Sequence, residues 1–158
     1  TRVQTCALPI SLIKAREATK LTGLVSLADD SGLCVDLLKG APGIHSADWA
    51  IMNDGSRDFK FATSRLIKEI ERKNYVKPIT AYFVCSLVLH WPDNYFEKFE
   101  GKIFGEIEWP GRGTKGHGYD PIFQPIGYKE TFGEMDRWKK NKISHRGLAV
   151  DKLLDTCF

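Results

Sequence analysis

From Pro78 to Trp91 the chain is a nearly continuous run of Tyr, Phe, Val and Leu, and after Pro92–Asn94 a second extended stretch follows from Tyr95 to Glu108. Aromatic and β-branched residues bounded by turn formers favour a pleated, half-buried surface, so the pattern predicts two long strands joined as a hairpin. Tyr82, Phe83, Phe96 and Phe99 are assigned to core and hairpin packing. Around this sheet the spacing predicts three helices. The clearest is Ser56 to Lys73, where Phe59, Ala62, Leu66, Ile67 and Ile70 share one face. A second runs from Ser11, read as its N-cap, to a stop at Gly23. The last runs from Ser144 to about Asp155, with Ala149, Val150, Leu153 and Leu154 turned inward. KGAPGIHSADWAIMNDG is read as a long loop.

A chain of 158 residues with 42% hydrophobic and 27% charged side chains is long enough for one domain around a real core. Lys and Arg (23) are interleaved with Asp and Glu (20), which excludes a basic nucleic-acid tail and leaves a +3 excess suited to a small polyanion. No apolar stretch approaches the roughly 20 residues of a membrane span, and no secretory leader is visible, so a cytoplasmic protein without nucleic-acid or membrane partners is expected. Cys6, Cys34, Cys85 and Cys157 lack zinc-ligand spacing; Cys34 and Cys85 are read as small core hydrophobes. TRVQTCALPI has no helical or strand period, and VQTCALPI is what a common sequencing adapter spells on translation. Residues 1–10 are therefore expected to be a non-native leader and 11–158 one domain.

Three segments carry chemistry. LADDSGL, Leu27 to Leu33, is expected to place Asp29, Asp30 and Ser31 on a tight turn after a short buried strand. Hard carboxylate oxygens of this kind can hold magnesium together with substrate phosphates, and one can activate water, although Asp-Asp-Ser-Gly alone is ordinary turn chemistry. GRGTKGHGYDP, Gly111 to Pro121, spells G-x-G-x-x-G, but no helix opens directly after it, so a dinucleotide fingerprint is rejected. Its glycines shape a loop that lets backbone N–H groups approach an anion or base, with Asp120 held extended before Pro121. KKNKISHR brings Lys140, Lys142, His145 and Arg146 to a helix N-terminus, where free N–H groups and cations together favour an anion; a solvated basic cap is the alternative.

Taken in order, LADDSGLCVDLLKGAPGIHSA, FVCSLVLHWPD, FEGKIFGEI, GHGYDPIFQP, TFGEM and KNKISHRGLAVDKL resemble the inosine triphosphate pyrophosphatase family, from about Ser11 to Leu154. The resemblance implies an α/β fold with an elongated, bent mixed sheet flanked by helices, two lobes and a central cleft, in a homodimer. It also implies Mg2+-dependent hydrolysis of xanthosine, inosine and deoxyinosine triphosphates to monophosphate and pyrophosphate. On that basis Asp30 is the catalytic carboxylate, serving magnesium and the attacking water, with Asp29 beside it at the metal and Ser31 at the substrate. His117, Gly118, Tyr119 and Asp120 align with the nucleoside-binding segment, Lys140 with an upstream lysine, and His145 and Arg146 with the base-recognising pair.

Two departures qualify the resemblance. The family's opening strand, its [ST]-x-N-x-x-K phosphate loop and a magnesium-holding glutamate are not found before Ser11, so weak turnover is expected, with a nucleotide-binding module that does not catalyse as the alternative. His117 stands where the family usually carries Phe or Trp, which weakens stacking on a purine.

Overall fold

The computed structural model describes residues 7–158, so Cys6 and the first six residues of the expected leader lie outside the described residues. Five strands form one sheet in the order β2-β1-β3-β4-β5, with β1 at Ser26–Val35, β2 at Pro42–Gly43, β3 at Thr80–His90, β4 at Phe96–Ile107 and β5 at Phe123–Pro125. The helices are α1 (Ala7–Thr22), α2 (Phe59–Glu71), α3 (Arg137–Ile143) and α4 (His145–Cys157). The α/β class is as expected, and every ladder among the described residues is antiparallel.

The expected hairpin is β3–β4, paired from Thr80↔Glu106 to His90↔Phe96. Its turn closes with Trp91 N–H donating to Tyr95 O, and Asn94 supplies a left-handed residue at φ 68°. The other long ladder corrects the sequence expectation. Asp29, Asp30 and Ser31 lie within β1, not on a turn, because pairing with β3 runs unbroken from Ser26↔His90 to Val35↔Ala81. A continuous tertiary ladder outweighs the local turn preference of Asp, Ser and Gly. Gly32 serves close approach instead: a Cβ there would stand 2.2 Å from Gly43 O of β2.

Strand alternation sorts the helices onto two faces. Leu33, Val35, Ala81 and Phe83 pack with Ala62, Leu66, Ile67 and Ile70 of α2 in one core cluster. Cys85, Leu87 and Phe99, further along the same sheet face, pack with Ala149 and Leu153 of α4 in another. α1 takes the opposite face, its Ser11 and Thr19 hydroxyls donating to Ser86 O and His90 O of β3.

Four local expectations change. α1 begins at Ala7, within the stretch read as leader; Ser11 lies inside the helix, buried, and does not cap it. Val150 and Leu154 of α4 stay partly exposed, the buried stripe being Ala149 and Leu153. α3 has no buried residue and hence no apolar period to betray it; Asp136 caps it by accepting from Lys139 N–H. Asp120 opens a short 3-10 turn, Asp120–Ile122, where an extended residue was expected.

β4 meets α4 at Gly101, where a Cβ would lie 2.0 Å from His145 O and 2.6 Å from Ala149 N. Gly101→Ala is therefore expected to push the α4 N-terminus off the sheet and destabilise the fold by about 1 to 3 kcal/mol or more. A lowered thermal unfolding midpoint checks this; an unchanged midpoint contradicts it.

Candidate active site

Because successive side chains on β1 point to opposite faces, the adjacent carboxylates have different neighbours. Asp30 faces the α1 side, where Lys14 Nζ donates to Oδ1 at 2.9 Å; Oδ2 is buried without a hydrogen-bond partner among the described residues. Asp29 faces the α4 side and receives Arg146 Nε on Oδ2 at 2.7 Å and Arg146 Nη2 on Oδ1 at 3.1 Å. Longer contacts from Ser31 Oγ and Cys85 Sγ complete its surroundings. Burial works to raise the Asp29 pKa, but the Arg146 hydrogen bonds and charge outweigh it and hold the carboxyl below its usual range. Burial pushes the Cys85 thiol up to about 12, so Cys85 is no nucleophile.

The loop before β5 forms the second wall. Gly116 is left-handed at φ 80°, and a Cβ there would lie 2.2 Å from Asp120 Oδ2. That oxygen accepts from His117 N–H and from Lys140 Nζ, each at 2.5 Å. Tyr119 is buried and donates to Ser46 O at 3.0 Å, anchoring the loop to the segment after β2. Phe59, the first residue of α2, supports the loop, its ring 4.7 Å from that of His117 and edge-on to that of Tyr119.

The third wall is the corner between α3 and α4. Ser144 ends α3 by donating its N–H to Lys140 O, and its Oγ caps α4 by accepting from Gly147 N–H. Gly147 allows the corner, since a Cβ there would sit 1.8 Å from Asn141 O. Lys140 thus belongs to the last turn of α3, and only His145 and Arg146 stand on the first turn of α4. His145 stacks on Phe83 at 4.8 Å and 12°. Burial first, then the charges of Arg146 and Lys140, lower its pKa to about 3, so it is a neutral imidazole and not the cation expected from the sequence.

One cleft of about 340 Å3 is bordered by Asp29, Asp30, Ser31, His117, Gly118, Tyr119, Asp120, Lys140, His145 and Arg146; Lys142, read from the sequence as a further cation at the same place, does not reach it from its position on the last turn of α3. Lys14, Phe59 and Phe83 join them without having been assigned a site role; a lysine on a helix and two aromatics in apolar patterns carry no distinguishing signal. A wider groove of about 480 Å3 on the outer side of α3 and α4 shares Lys140, His145 and Arg146 but reaches neither carboxylate of β1.

The buried imidazole has a consequence for stability. In the unfolded chain His145 binds a proton below about pH 6.5, whereas in the fold it stays neutral to about pH 3, so stability falls as the pH drops through that window. Between pH 7 and pH 4 the loss from this group is expected to be roughly 3 kcal/mol. His145→Phe should flatten the pH dependence of urea-unfolding free energies by about that amount; parallel curves for the two proteins contradict it.

The Ham1 family model matches residues 3–156. The chain is 53% identical over 146 residues to the dITP/XTP pyrophosphatase of Ruegeria pomeroyi, an alignment covering 92% of this chain and 71% of that protein. It is 48% identical over 155 residues to the dITP/XTP pyrophosphatase of Rhizobium meliloti, covering 92% and 72%. Its fold superposes on a HAM1 protein from Coxiella burnetii with a TM-score of 0.89 at 33% identity, over 99% of this chain and 79% of that one. The Ham1 protein of Staphylococcus aureus gives 0.86 at 31% identity, over 99% and 80%. With residue identities and backbone in agreement along nearly its whole length, the chain belongs to the Ham1 family.

Proposed function

We propose that this chain hydrolyses non-standard purine nucleoside triphosphates (XTP, dITP and ITP) to the monophosphate and pyrophosphate. The relatives named dITP/XTP pyrophosphatase support the substrate class. The observation that carries the chemistry is the meeting, in one cleft, of a carboxylate with an unpartnered oxygen and two cations held by ion pairs. In the reaction, water adds to the α-phosphorus, the α–β bridging bond breaks, and pyrophosphate leaves.

Asp30 is assigned as the base that takes the proton from that water, its carboxylate held in place by Lys14 at Oδ1. Lys140, kept in place by Asp120, sets positive charge beside the phosphates and the departing pyrophosphate, while Arg146, kept in place by Asp29, is left for the base. His117 and Gly118 offer an imidazole ring and close backbone for the nucleoside. A 6-oxopurine accepts at O6 where adenine donates, so a donor-only guanidinium such as Arg146 fits the former and is left unpaired by the latter, a difference of about 1 to 3 kcal/mol.

Magnesium fits the Asp30 position, where a buried hard oxygen lacks a partner. Among the described residues no cluster of three His, Cys, Asp or Glu side chains could hold an ion alone, so Asp30 would share it with substrate phosphates. When bound, Mg2+ supplies charge neutralisation on the phosphates and lowers the pKa of the water. A homodimer acting on the cytoplasmic nucleotide pool belongs to the same proposal and rests on the family resemblance. No described helix is long and apolar enough to cross a membrane.

Asp30→Asn should lower the rate of pyrophosphate release from ITP by about 100-fold or more while leaving ITP binding within a few-fold of the unsubstituted chain. An unchanged rate overturns the assignment; binding without release in the unsubstituted chain favours a nucleotide-binding module. His117→Phe should lower the Michaelis constant for ITP by about two- to fivefold through better stacking, and an unchanged value removes residue 117 from the base site.

A further inference from the structure

The two adjacent carboxylates of β1 differ in how completely their oxygens are used. Each oxygen of Asp29 accepts twice: Oδ1 from Arg146 Nη2 and Ser31 Oγ, Oδ2 from Arg146 Nε and Cys85 Sγ. Asp30 accepts only from Lys14 on Oδ1, and its Oδ2 has no partner among the described residues. A metal ion needs free lone pairs on its ligands, and those of Asp29 are already met, two of them by the arginine at 2.7 and 3.1 Å, whereas Asp30 keeps an oxygen without a partner among the described residues.

The arginine has the complementary need. Arg146 carries a long side chain, 57% exposed, whose rotamer freedom must be restrained before its guanidinium can recognise anything in a fixed orientation. Asp29 supplies that restraint from the middle of a rigid ladder, opposite Leu87, by a two-point grip on the Nε and Nη2 edge. Nη1 makes no hydrogen bond among the described residues, which leaves the other edge of the guanidinium for a ligand in the cleft.

We propose that Asp29 is a positioning residue that orients Arg146 toward the nucleotide, and that of the Asp29–Asp30 pair Asp30 alone serves the metal. This rests on the cleft being the nucleotide site, and the test separates the two claims. In Asp29→Asn the dissociation constant for ITP should rise about tenfold, with kcat within about twofold and the Mg2+ midpoint for ITP binding unchanged. Asp30→Asn should raise that midpoint at least about fivefold. In 15N spectra of the free protein, the Arg146 Nε–H signal should be slow to exchange with water, and Asp29→Asn should move it into the envelope of free arginines. Asp29→Glu should recover part of both effects. Should Asp29→Asn not fold, Arg146→Lys, which keeps the charge and loses the two-point grip, should show the same rise in dissociation constant. A midpoint that shifts as far in Asp29→Asn as in Asp30→Asn overturns the proposal, as does an Nε–H signal indifferent to residue 29. If the unsubstituted chain binds no ITP, the nucleotide assignment fails, and the Nε–H signal still decides whether Asp29 orients Arg146.

Discussion

The uninterrupted pairing of β1 with β3 is the constraint on which the site depends. Ten consecutive rungs hold β1 straight through Asp29, Asp30 and Ser31, where local preference alone would have turned the chain. Alternation then sends Asp29 toward α4 and Asp30 toward α1. Two carboxylates adjacent in sequence acquire different partners, Arg146 for one and Lys14 for the other, and so can do different work. Had the segment formed a turn, both would have faced the same solvent.

The other walls are brought to this strand by close backbone approaches. Gly101 lets the first turn of α4 rest on β4, Gly147 lets α4 leave α3 at a sharp corner, and Gly116 lets the loop fold over Asp120. Each approach is followed by an electrostatic or stacking tie: His145 on Phe83, Arg146 to Asp29, Lys140 to Asp120. Lys140 and Arg146 are thereby presented at fixed points, so a ligand entering the cleft does not first have to order two long side chains.

Much of this was legible in the sequence. The β3–β4 hairpin, the apolar stripe of α2 and the Ser144 cap all follow from period and propensity, and ten of the residues that line the cleft lie in the three motifs singled out from the sequence. What escaped was what depends on distant pairing. The strand identity of DDSG is set by β3, more than fifty residues away. α3 buries nothing and so shows no period. The neutrality of His145 comes from burial against Phe83, and local reading of a basic run counts it as a cation. Lys14 enters the site only because α1 crosses the sheet beside Asp30.

The convergence of β1, the Gly116–Asp120 loop and the α4 N-terminus on one nucleotide is tested most directly by amide chemical shifts on titration with a non-hydrolysable ITP analogue in Mg2+. Shifts should appear together at residues 29–32, 117–120 and 144–147 and saturate with one dissociation constant. Shifts confined to Trp138, Lys142 and Val150, in the groove behind α3 and α4, would contradict a shared nucleotide cleft.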